Sequence, residues 1–312
     1  MRLIYCLLLF LCAHFQGAAQ LNIEAIGTGN HRCWMIRTAD SEAVTPERIV
    51  VFLHGFGAQN PGVYGGWIRH LIADDSATIV LFPKFQTGLW APRGEVFTQR
   101  TQETLESTLT ELRSRYPNLP RSVTLIGHSI GGAIAANLAD REAVMRNFSI
   151  DGIMLVQPGH KIFRCGRQDF YQNVRPDLPV LIVTGADDGA SGDKFANHFV
   201  ETAPQIQHLL FVRQRAGRGA GEVMKAQHKT PVNPVRELYT PNFNLITEGA
   251  KWVGREDRAD THGYYRLSDL LLRCAQLGDC VGLDGSRAET LSMGRFADGS
   301  VVPPLEVVVN RR

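Results

Sequence analysis

Six short apolar runs recur between residues 48 and 212, at 48–53, 78–82, 123–126, 152–156, 180–184 and 209–212. They are rich in Val and Ile and show no alternation with polar residues. Both faces of each are therefore expected to be buried, as in the interior strands of a parallel sheet. Between them the apolar period lengthens to that of a helix, at 67–73, 100–116, 130–138 and 194–202. In the second of these, Leu105, Leu109 and Leu112 fall on one face and Pro117 ends the run. Strand–helix alternation predicts an α/β fold, a doubly wound, mostly parallel sheet with helices on both faces. No repeat or low-complexity linker interrupts residues 20–312, so one domain is expected. The interval from Val156 to Val180 has room for only a helix, not a lid domain, which predicts little or no cap. Residues 229–260, by contrast, are long, poorly periodic and carry Pro and Gly; connections of that length tend to be functional. A final amphipathic helix over 264–274 precedes a hairpin-like tail with its turn at Asp298-Gly299.

Residues 1–19 read as a leader. Arg2 opens it, 3–12 are apolar, and Gly17-Ala18-Ala19 offers a cleavage site before Gln20. The apolar stretch is too short for a comfortable membrane span, and no other segment is long enough, so export rather than membrane insertion is expected. With the leader removed, Cys33, Cys165, Cys274 and Cys280 remain. An even count in an oxidising compartment points to disulfides, with three possible connectivities. Cys274 and Cys280 close a short loop after a helical run, so the preferred pairing is Cys274–Cys280 with Cys33–Cys165. The spacings do not suit zinc ligand pairs. A net charge of +2 on 312 residues implies no polyanionic partner. The basic stretch 213–218 has no interleaved aromatics and reads as a solvated loop rather than a nucleic-acid site.

The strongest chemical signal is Gly127-His128-Ser129-Ile130-Gly131, directly after the run 123–126 and directly before an Ala-rich helical segment. Strand, sharp turn and helix with a serine at the apex hold the hydroxyl at a helix N-terminus. Serine is a weak nucleophile unless a base takes its proton and an acid orients the base. Strand 180–184 runs into Gly185-Ala186-Asp187-Asp188, where Asp188 is the expected acid and Asp187 the rival, one of the two serving a helix N-terminus. His228 is the first histidine after strand 209–212 and the expected base, with His262 the alternative. The oxyanion needs two preorganised N–H donors. Ile130 supplies one, and Phe56, in Leu53-His54-Gly55-Phe56-Gly57 after the first run, the other; His54 reads as a buttress of that loop. Tyr64, Trp67 and Trp90 lie near strand C-terminal ends and are expected to wall an apolar substrate pocket, though aromatic residues there are as readily core. No phosphate loop, dinucleotide fingerprint or metal motif is present, so no cofactor is expected.

His54–Gly57, the 127–132 turn, Gly185–Asp188 and His228, in the order nucleophile, acid, base, together resemble the α/β-hydrolase fold family over roughly residues 45 to 275. In finer detail the chain is similar to single-domain esterases and lipases of the dienelactone-hydrolase and platelet-activating-factor-acetylhydrolase types. The resemblance implies two-step acyl transfer to water on a small or lipid-like ester, through a Ser129–His228–Asp188 triad. The 229–260 stretch departs from short-cap members and leaves the pocket shape open. An acyltransferase or thioesterase would use the same triad. A binding protein on this scaffold would have no physical need of all three residues.

Overall fold

The computed structural model describes residues 20–311 apart from 74, 87–93, 162–164 and 242–244; residues 1–19, the expected leader, and Trp90 lie outside the described residues. Each apolar run becomes a strand: β3 (Arg48–Leu53), β4 (Thr78–Pro83), β5 (Ser122–His128), β6 (Ser149–Val156), β7 (Val180–Gly185) and β8 (Leu209–Gln214). They pair in parallel in the order β4-β3-β5-β6-β7-β8. Three further strands extend the sheet antiparallel. β1 (Leu21–Ile26) and β2 (Cys33–Thr38) join beside β4, and β11 (Glu306–Arg311) joins beside β8, making nine strands among the described residues. A separate small hairpin pairs β9 (Gly217–Gly219) with β10 (Glu222–Met224). In the basic stretch at its start, Arg213 pairs with Asp193 and Glu306, and Arg215 pairs with Glu306.

Alternate residues of one strand feed two separate cores. Ile49, Val51 and Leu53 of β3 pack with α2 (Gly94–Arg115), α3 (Ile130–Asp140) and α4 (Lys194–Thr202) through residues such as Leu105, Leu109, Ile134 and Phe199. Val50 and Phe52 of the same strand face α1 (Gly65–Ala73) and α6 (Arg266–Leu277), meeting Trp67, Ile68, Leu267 and Leu271. Helices on both faces explain why the runs carry no polar alternation.

The 229–260 stretch is a strap. Its first half is laced to the segment after β3: Asn233 N–H donates to the Val63 carbonyl at 3.0 Å, Gly66 N–H to the Asn233 carbonyl at 3.0 Å, and Val235 N–H to the Gly62 carbonyl at 2.9 Å. The Asn60 side chain donates to the Thr240 carbonyl at 2.9 Å and accepts from the Thr240 N–H at 3.2 Å. Its second half forms α5 (Leu245–Val253), whose Ile246 lies against Gly57.

Cys274 and Cys280 form a disulfide at the C-terminal end of α6. The expected Cys33–Cys165 bridge is corrected: both are free, buried thiols. Cys33 hydrogen-bonds to Thr108 of α2, while Cys165 lies against Gly94 at the start of the same helix. Fourteen helical residues separate those two positions, about 21 Å at the α-helical rise. A disulfide spans less than about 7 Å between Cα atoms. Elimination chose the partners, and the two ends of a long helix keep them apart.

Candidate active site

Ser129 is the only residue between the end of β5 and the start of α3, with φ 57° and ψ −121°. A positive φ on a side-chain-bearing residue is strained and persists only when the surroundings fix it. Here the Ser129 N–H donates to the Val156 carbonyl at 2.9 Å, and the Ser129 carbonyl accepts from Gly132 N–H at 3.0 Å. The turn is so tight that a Cβ on Gly127 would collide with the Gly131 carbonyl, and one on Gly131 with the Leu53 carbonyl. Those collisions give the glycine spacing its physical reason.

The Ser129 Oγ lies 2.8 Å from Nε2 of His228, and Nδ1 of His228 lies 2.9 Å from Oδ2 of Asp188. The three side chains come from segments after three different strands, β5, β7 and β10, the last closing the hairpin that follows β8. Asp188 is buried and its second oxygen accepts from the Ala190 and Ser191 N–H groups at 2.8 and 2.9 Å. Burial pushes its carboxyl upward, but the hydrogen bond and charge of His228 with those two amides outweigh it and hold the group below its ordinary range. Asp187, one residue earlier, is exposed, and among the described residues only its backbone N–H is engaged, with the Ala226 carbonyl. The chain register therefore brings Asp188 to His228. His262 instead lies against Gly294.

The loop after β3 carries the second expected oxyanion donor. Gly57, at φ +76°, donates its N–H to the buried Gln86 Oε1 at 2.7 Å. His54 Nδ1 lies 2.8 Å from the Gly55 carbonyl, and its ring stacks on Phe85 at 4.0 Å. These contacts fix the backbone on both sides of Phe56. The Ile130 amide, first in α3, has no carbonyl one turn earlier to bond, and the helix N-terminus adds partial positive charge.

Tyr64 and Trp67 are corrected. Both are fully buried, Tyr64 with its hydroxyl on Gly55 and His128, Trp67 against Phe52 and Tyr264 with its indole N–H on Ser268. Core packing of α1 on the sheet claims these rings, so neither walls an open pocket. Trp90 lies outside the described residues. A cleft of about 900 Å³ opens beyond the base-bearing turn, lined by Lys229, Thr230, Trp252 and Phe296 among others, but not by Ser129, Asp188 or His228.

Two residues around the base were not singled out from sequence: His128 and Gln157. Their only signal is position, each a polar side chain just past the C-terminal end of a mainly apolar run. Among the described residues, no group of His, Cys, Asp and Glu could hold a metal ion.

The profile of a family described as "Alpha/beta hydrolase family" matches residues 50–286. No curated protein matches the chain. Among solved structures, a thermostable esterase from Pseudomonas putida is 13% identical, with a TM-score of 0.46, over 63% of this chain and 73% of that one. A variant of the esterase rPPE, crystallised with (S)-Ac-CPA, is 13% identical, with a TM-score of 0.49, over 67% of this chain and 77% of that one.

Proposed function

Because the chain belongs to the alpha/beta hydrolase family, we propose that it is an exported serine hydrolase that cleaves carboxylic esters through an acyl-enzyme. One observation carries the reading: the unbroken hydrogen-bonded line from Asp188 through His228 to Ser129. His228 Nε2 takes the Ser129 proton as Oγ attacks the ester carbonyl carbon. The carbonyl π pair moves onto oxygen, where the Phe56 and Ile130 N–H groups receive the negative charge. Asp188, accepting from Nδ1–H, holds the ring in the reactive tautomer and stabilises the imidazolium. Collapse breaks the bond to the alkoxide, which leaves with the proton from Nε2. Water repeats the cycle on the acyl-enzyme, releasing the acid and restoring Ser129.

Export is supported by the leader and by the Cys274–Cys280 disulfide, a bond that persists in oxidising compartments. A mature N-terminus at Gln20 in protein from outside the cytoplasm is the expected result, and an intact leader there would contradict it.

The enzymatic test is intact-protein mass spectrometry after a fluorophosphonate probe. The expected result is a single adduct on wild type and none on Ser129→Ala. Folded wild type without an adduct would remove the activated serine and with it this reading.

A further inference from the structure

We propose that Tyr64 and His128 form a buried brace that positions the general base by its backbone and ties it to the oxyanion loop. This rests on the serine-hydrolase reading above and adds two positioning residues to it. The geometry is a continuous chain of short contacts. Gly55 N–H donates to the Tyr64 hydroxyl at 2.9 Å, that hydroxyl lies 2.8 Å from His128 Nδ1, and His128 Nε2 lies 2.8 Å from the His228 carbonyl oxygen. Tyr64 is fully buried and His128 nearly so.

With the His128 ring neutral, counting protons fixes every role in that chain. A backbone N–H only donates and a carbonyl only accepts. The His228 carbonyl therefore requires the proton of His128 on Nε2. A neutral ring then has Nδ1 bare, and the single Tyr64 proton, free because Gly55 supplies the other bond, goes to it. Each group has one arrangement, and none is left for His128 to act as an acid or base. Burial and then the facing His228 push His128 down to about 3, against weaker support from the His228 carbonyl, Asp188 and Gln157, so the ring stays neutral.

The same turn is gripped once more. Gln157, at the end of β6 with φ 46°, donates its side-chain amide to the Gln227 carbonyl at 2.9 Å. Two consecutive carbonyls, Gln227 and His228, are thus held by side chains at the ends of β6 and β5. One of these grips comes from the residue next to the nucleophile. The other end of the brace reaches Gly55, the neighbour of Phe56. Nucleophile turn, base turn and oxyanion loop share one network. Misplacement of a reacting group by an ångström can cost about a hundredfold in rate.

The test compares Tyr64→Phe, His128→Leu and His128→Gln with wild type on an activated ester and in fluorophosphonate labelling, with thermal melts alongside. A glutamine amide reaches the Nε2 position and still donates to the His228 carbonyl. Expected is a fall in kcat and labelling rate of about tenfold to a hundredfold for Tyr64→Phe and His128→Leu, with KM within about twofold. His128→Gln should regain most of that loss. Wild-type rates in Tyr64→Phe and His128→Leu, or a folded His128→Gln no better than His128→Leu, would overturn the brace. A measurement independent of variant folding is imidazole ¹⁵N NMR of wild type, with the His128 signal expected as an Nε2–H tautomer that does not titrate from about pH 5 to 8. An Nδ1–H tautomer, or titration in that range, would refute it. If wild type takes no probe while the NMR signature is present, the catalytic reading fails and the brace stands as structure alone.

Discussion

At the scale of single residues, Asp188 and Asp187 stand side by side in sequence and apart in chemistry. Asp188 is enclosed and saturated, with one oxygen on His228 and the other on two amides. Asp187 is in solvent. Asp188→Asn keeps the shape but offers His228 a donor where it needs an acceptor, so kcat should drop by about a thousandfold or more. Asp187→Asn should stay within about twofold of wild type, since no side-chain contact is lost. Steady-state kinetics of the two variants decides the assignment, and the reverse ranking would transfer the role to Asp187. The juxtaposed side chains were legible in the sequence because each follows an identifiable strand. Tyr64 was legible only as an aromatic near a strand end. Its burial and its hydroxyl contacts depend on α1 folding back over Phe52. His128 was hidden in plain view inside the Gly-His-Ser turn, because its partner is a backbone atom 100 residues away.

At the scale of elements, the six interior strands were readable because burial on both faces leaves an unbroken apolar run. β1, β2 and β11 were not. They pair antiparallel at or beside the sheet margins, and Asn22, Glu24, Arg37 and Asn310 interrupt their apolar pattern. The strap was legible only as a long irregular connection, since its order comes from lacing to residues 60–66 rather than from any period of its own. Asn60, almost fully buried, is the knot in that lacing. Asn60→Ala leaves both backbone groups of Thr240 without that partner, at a cost of roughly 2–3 kcal/mol. The urea midpoint should fall accordingly, and limited proteolysis should begin within 233–240 of the strap. An unchanged midpoint would mean that the strap is held elsewhere.

For the molecule as a whole, three buried titratable groups shape stability against pH. Burial lowers His54 to about 4 and His128 to about 3, from 6.5 in both cases. Burial, aided by the Asp257 and Glu256 charges, raises Asp260 from 3.8 to about 8. Between about pH 4 and 6.5 the unfolded chain holds protons on His54 and His128, and to a lesser extent on His160 and His262, that the fold excludes, while the fold holds protons on Asp260 and in part Asp257 that the unfolded chain has lost. The histidine contribution predominates, so stability rises with pH there. From about pH 6.5 to 8 the raised carboxyl of Asp260 governs the balance, and stability falls. Chemical denaturation across this range should show a maximum near pH 6.5. A flat acid limb would contradict the histidine assignment, and a continued rise to pH 8 the Asp260 one.

The two unbridged cysteines have a use of a different kind. Burial raises Cys33 to about 12 and Cys165 to about 11, so in the folded protein both are silent toward thiol reagents. Denatured without reductant, protein beginning at Gln20 should take up two equivalents of alkylating agent, rising to four after reduction of Cys274–Cys280. In native buffer, uptake at either position must wait for its surroundings to open. Cys33 sits on a strand near one margin of the sheet, and Cys165 on the connection following β6. Site-resolved alkylation would time the opening of these two regions separately, with reporters the chain already carries.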